Sequence, residues 1–128
     1  MQKFRKLAYV MVFALAACAT NYTKPGPNAD YGPVPSDYEE KIKAEFDTRL
    51  IDPESARYEF GKPVKAYDNN IFSGEIDWIG YAVEITLNAK NRLGGYTGRS
   101  AYTILFKDNV ITDVKEGDLE SLLMHRVQ

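Results

Sequence analysis

Hydrophobic and polar positions change their spacing near Ala56, and that change divides the sequence into predicted elements. Before it, Tyr38, Ile42, Phe46 and Leu50 recur every four residues, with Glu39, Glu40, Lys43, Glu45 and Asp47 between them. This is the period of a helix with one apolar stripe. Ser36 and Glu39 stand at capping-box spacing, each side chain satisfying a free backbone N–H at a helix start, so the helix is predicted from Ser36 to about Leu50. Asp52-Pro53 ends it and opens a further short turn, proline suiting a first helical position. After Ala56 come runs of strand character at 57–60, 64–67, 77–88, 100–106 and 110–114. In the third, Ile79, Tyr81, Val83, Ile85 and Leu87 share one face and Ala82, Glu84, Thr86 and Asn88 the other, as a sheet with one wet face requires. Lys107-Asp108-Asn109 predicts a tight turn joining the last two strands. Asp118 is placed to cap a closing helix whose stripe is Leu119, Leu122, Leu123 and Val127. The predicted fold class is α+β: an N-terminal helix and a short C-terminal helix packed on one face of an antiparallel sheet of about four or five strands.

The start of the chain follows neither period. Lys3, Arg5 and Lys6 precede an apolar run from Leu7 to Ala17, the layout of a secretory signal. That run is shorter than the about twenty residues a membrane-spanning helix needs. Its junction, Leu15-Ala16-Ala17-Cys18, resembles the lipobox of bacterial lipoproteins, whose cysteine becomes the acylated first residue of the mature protein. The resemblance implies a signal peptide over residues 1–17 and covalent lipid, palmitate included, on Cys18. Each buried methylene contributes about 0.8 kcal/mol, so several acyl chains anchor stably where one anchors only reversibly. In Gram-negative lipoproteins an aspartate after the cysteine commonly marks retention at the inner membrane, and here that position is Ala19. The resemblance therefore implies the outer membrane, with its periplasmic and surface faces both open. Residues 18–35 carry Pro25, Pro27, Pro33, Pro35, Gly26 and Gly32, a composition that predicts an extended tether. Tyr22 and Tyr31 within it read as solvated, or as docking points for a partner. Residues 36–128 remain as a single domain.

Charge and rare residues remove several function classes. Loss of the leader takes the basic count from 16 to 13 against 18 acidic residues. An acidic domain without clustered cations has no electrostatic footprint for a phosphate backbone, so no nucleic-acid partner is expected. Cys18 is the only cysteine and His125 the only histidine, which leaves no internal disulfide, no catalytic triad and no Cys- or His-built metal site. His125 reads as a last-turn histidine favoured by the helix dipole. Glu75 and Asp77 beside Trp78 form the most suggestive acidic cluster, a sugar or peptide contact by one reading and the flank of a core tryptophan by the other. No catalytic residue, metal or cofactor is expected apart from the lipid on Cys18, and the chain reads as not an enzyme.

The least ordinary stretch runs from Asn88 to Gly98. Asn88, Lys90, Asn91, Arg92, Gly94, Gly95, Tyr96 and Gly98 form a shaped loop, since glycine and asparagine admit positive φ and close backbone approach. It lacks the Gly-Lys-Ser/Thr ending of a phosphate-binding loop. It reads as a binding loop or as a wide, bulged hairpin. Together with Leu50-Ile51-Asp52-Pro53-Glu54-Ser55-Ala56-Arg57-Tyr58 and Gly80-Tyr81-Ala82-Val83, it resembles a group of small uncharacterised bacterial envelope proteins. Its members carry the same proline turn after a helix and an asparagine-containing glycine hairpin later. The resemblance spans about residues 38–114 and implies no activity. The expected function is that of a membrane-anchored envelope lipoprotein, a non-catalytic binding or structural accessory whose partner is an envelope protein or a glycan. The alternative is an inhibitor or protective lipoprotein directed at a lytic enzyme, protease or toxin.

Overall fold

The structure, a computed structural model, describes residues 21–128; the predicted signal peptide and Cys18 lie outside the described residues. Helix α1 spans Tyr38–Asp47, and a 3-10 turn follows at Pro53–Ser55. Six strands come next: β1 (Arg57–Phe60), β2 (Val64–Asn69), β3 (Ile76–Asn88), β4 (Ser100–Lys107), β5 (Val110–Glu116) and β6 (His125–Arg126). They form one antiparallel sheet in the order β5-β4-β3-β2-β6, with β1 also paired to β3. The thirteen residues of β3 organise the sheet. On one side its first half pairs with β2 (Tyr67 opposite Ile79) and its second half with β1 (Arg57 opposite Asn88). On its other side lies β4, with Val83 opposite Ile104.

Alternation along β3 and β4 sends side chains into two separate cores. Tyr81, Val83, Ile85, Leu87, Ile104 and Phe106 point to the larger one, which also holds Ile42 and Phe46 of α1. Ala82 and Leu105 point the other way, into a smaller cluster with Ala66, Leu119 and Met124.

These findings correct the α+β expectation of two helices on one face of four or five strands. The fold is mostly antiparallel sheet, and α1 is the single α-helix among the described residues, contributing only two buried side chains. The predicted C-terminal helix does not form. Asp118 Oδ1 accepts the Ser121 N–H at 2.7 Å, so one turn begins, but Leu123 adopts φ 57 and reverses the chain. Met124 N–H then donates to the Leu119 carbonyl, and His125 and Arg126 pair with Tyr67 and Ala66. That segment covers the face of β3 expected to be wet, and Ala82 is fully buried there. Glu84 fastens the cover, accepting the Leu119 N–H and pairing with Arg126.

The capping box is also absent. Asp37, in left-handed backbone at φ 49, precedes α1 without a side-chain cap. Ser36 instead pairs with Asn109 through its N–H and its hydroxyl, and Lys41 Nζ donates to Asn109 Oδ1 at 2.7 Å. The turn between β4 and β5 thus takes the groups that a local cap would have used.

Part of the expected tether lies on the domain. Tyr31 is buried in the larger core, Lys107 Nζ donates to the Asp30 carbonyl, and Thr23 N–H donates to the Gly74 carbonyl at 2.8 Å. Residues 23–36 are therefore laced to the sheet and add no reach, contrary to a wholly extended tether.

Tyr58 is one weak point of the larger core. Phe46 and Phe60 flank its ring at 6.2 and 5.3 Å, and its buried hydroxyl has no hydrogen-bond partner among the described residues. Burial, and then the charge of Asp47, push its pKa above the ordinary 10.0. Tyr58→Phe is expected to stabilise the fold by about 1 kcal/mol, because it removes an unsatisfied buried polar group. A pKa raised on folding gives a contribution fully present below the unfolded value and lost as pH rises through the folded one. The substitution should therefore also flatten part of the stability loss above pH ~10, with Tyr31 keeping the remainder. Urea unfolding at neutral and alkaline pH checks both effects.

Candidate functional site

Two stretches distant in sequence meet at the far end of β3. The 3-10 turn over Pro53–Ser55 presents the Ser55 hydroxyl, which donates to the Asp52 carbonyl and accepts the Lys90 N–H at 2.9 Å. Tyr96 crosses back over the same residue, its hydroxyl donating to the Ser55 carbonyl at 3.0 Å. The proline turn and the glycine hairpin are thus one structural unit.

Inside that unit the loop is held by its asparagines. Asn91 Oδ1 accepts the N–H groups of Leu93 and Gly95, Asn91 N–H donates to the Gly95 carbonyl, and Lys90 and Tyr96 form a β-bridge. Asn88 Oδ1 accepts the Gly98 N–H at 3.1 Å, closing the base. Gly94 and Gly98 adopt φ 79 and 100, where a side chain is strained. The whole tip from Asn91 to Arg99 is exposed, and Leu93 at 94% touches almost nothing.

Cations gather round the Tyr96 ring. The Arg57 guanidinium lies 4.2 Å and the Lys90 ammonium 5.5 Å from its centroid, within cation–π range. Arg99 pairs with Glu59 at 2.7 Å, whereas among the described residues Arg57, Lys90 and Arg92 have no carboxylate at ion-pair distance. In a chain with more acids than bases, two uncompensated cations on an ordered loop and a third on the adjoining strand β1 form a local positive surface.

Of the loop residues expected from sequence, Asn88, Asn91, Gly94, Gly95 and Gly98 shape the backbone, Arg92 is exposed, and Tyr96, with Lys90 beside its ring, folds back onto Ser55. Ser55 and Arg57 were not expected in the site, because nothing local announces their contact with residues 35 to 41 positions away. The acidic cluster lies at the surface: Glu75 and Asp77 are exposed, and the half-buried Trp78 donates its indole N–H to Thr112 Oγ1 at 3.2 Å. His125 lies on β6, not in a helical turn, and stacks on Tyr67 at 4.8 Å. Among the described residues no three His, Cys, Asp or Glu side chains are grouped to hold a metal ion, and no helix is long and apolar enough to cross a membrane.

Ser55 is the side chain through which the two stretches grip each other. Ser55→Ala is expected to cost about 1 kcal/mol and to speed amide exchange at Lys90 severalfold, leaving the sheet protected. Hydrogen–deuterium exchange resolved to the loop peptide checks this. Compared with family models, curated proteins and solved structures, the chain matches none of them.

Proposed function

We propose that this is a lipid-anchored protein of the bacterial envelope that works by contact, without catalysis, and holds an acidic partner at the Ser55–Tyr96 end of its sheet. The observation that carries this reading is the ordered loop end, where Arg57 of β1 and Lys90 flank the Tyr96 ring without a carboxylate partner and the exposed Arg92 adds a third cation. Seven backbone or side-chain hydrogen bonds within residues 88–98 and two to Ser55 fix that surface before any partner arrives. Preorganisation of this kind lowers the ordering cost of binding. The lipobox supplies the anchoring half of the proposal, and the acidic partner is a protein surface or an acidic glycan of the envelope.

The test is a photocrosslinker at Arg92 in intact cells, compared with the same protein carrying Arg57→Glu and Lys90→Glu. Capture of one envelope component, weakened by salt and lost on charge reversal, supports the proposal. Equal capture by both chains overturns it. A second reading, as an inhibitor, is favoured by Leu93 alone, since an apolar residue projecting from a braced loop suits insertion into an enzyme cleft. Inhibition of a lytic enzyme or protease that Leu93→Asp abolishes would establish it.

A further inference from the structure

Hairpin tips ordinarily carry polar residues, because a tip has nothing within the chain to bury against. The tip joining β2 to β3 departs from this, with Ile71 and Phe72 64% and 85% exposed. It is a braced turn: Asn70 Oδ1 accepts the N–H groups of Phe72 and Ser73, Asn70 N–H donates to the Glu75 carbonyl, and Gly74 N–H donates to the Asn70 carbonyl. Both apolar side chains are therefore held outward. Leu123, 75% exposed on its reversed backbone, and Tyr22 border the same open groove of about 490 Å³. Contiguous exposed apolar surface of this kind marks a contact site.

What covers it follows from where the chain enters the domain. Thr23 is fastened to this very turn, through its N–H on the Gly74 carbonyl and its carbonyl on the Asn69 side-chain amide at 2.8 Å. Cys18 is five residues before Thr23, and five residues reach at most about 18 Å. On the reading of Cys18 as the lipidated residue, on which this inference rests, Thr23 is never farther than that from the bilayer, and the apolar tip belongs to the turn to which Thr23 is bonded. The charged groups bordering the groove are Asp68, which pairs with Lys115, and the exposed Asp77, so nothing there favours an anionic surface over a neutral one.

We infer that this face lies on the membrane, with Ile71, Phe72 and Leu123 in the interfacial region of a zwitterionic bilayer. Aromatic and aliphatic side chains settle at that depth. The domain then stands on its lipid in one orientation instead of swinging from it. The loop at 88–98 occupies the opposite end of β3, whose thirteen residues span up to about 40 Å, and is carried away from the membrane.

The test uses the full-length lipidated protein in phosphatidylcholine vesicles containing a chain-quenching lipid. Phe72→Cys or, in a second protein, Leu93→Cys carries an environment-sensitive dye. Acylation consumes the Cys18 thiol, so each variant should take one dye. The expected result is severalfold stronger quenching at position 72 than at 93, repeated with Ile71→Cys. Equal, weak quenching at all three positions with one dye per chain overturns the inference and leaves the anchor standing. A blue-shifted dye at position 72 that lipid does not quench also overturns it, and identifies a protein partner or a second copy as the occupant. Two dyes per chain would show a free Cys18 and overturn both.

Discussion

Gly80→Ala is expected to destabilise the fold by about 3 kcal/mol or more, although it adds a single methyl group. A Cβ at this position would press on the Phe106 carbonyl oxygen of the neighbouring strand and lie 2.7 Å from Cζ2 of Trp78. The first of these is backbone inside a β-ladder and has no rotamer into which to retreat. Relief requires β3 and β4 to separate beside Tyr81 and Phe106, the pair where their register begins. Gly95→Ala is the matched comparison, since its nearest neighbour would be 4.0 Å away and its φ is not positive. Urea unfolding of both variants should give a large loss for the first and almost none for the second.

The second large effect belongs to Phe106 itself, which is 1% exposed and faces the larger core from near the end of β4. Phe106→Ala is expected to cost about 3–5 kcal/mol, combining lost transfer energy with the cavity left behind. A domain of this size has about 5–15 kcal/mol in total, so the variant should melt far lower and sit near partial unfolding at growth temperature. Thermal unfolding followed by circular dichroism checks it. A loss below about 1 kcal/mol would mean that Ile42, Phe46 and Ile104 close the gap.

The first five strands were legible because their signal is local, whereas β6 fell in a segment read as helix. An uninterrupted alternation from Ile79 to Leu87 admits one geometry, and Asp108 and Asn109, at φ 51 and 65, are the residue types that tolerate a tight hairpin turn. The errors arose where distant residues competed with local ones. Ser36 had the spacing of a cap, but Asn109, 73 positions away, takes both its groups. The spacing of Leu119, Leu122 and Leu123 suits a helical stripe, yet it serves equally well for a reversed turn that buries Leu119 and Met124 and leaves Leu123 outside. Ala82 looked solvent-facing because the segment that covers it comes 37 to 42 residues later.

The site divides in the same way. The glycines and asparagines of residues 88–98 announced a shaped loop, and that is their place in the structure. Ser55 and Arg57 carried no such sign, since a serine in a proline turn and an arginine opening a strand have ordinary local uses. Ile71 and Phe72 could have been noticed: two large apolar residues between Asn70 and Ser73-Gly74 contradict the usual composition of a turn.

Both the contact function and the membrane-facing tip depend on the same covalent event, and the intact mass of the protein extracted from its membrane tests it most directly. The account predicts a chain beginning at Cys18 and heavier than residues 18–128 by a set of acyl chains. A mass that retains Met1, or that begins elsewhere with an unmodified Cys18, would contradict it.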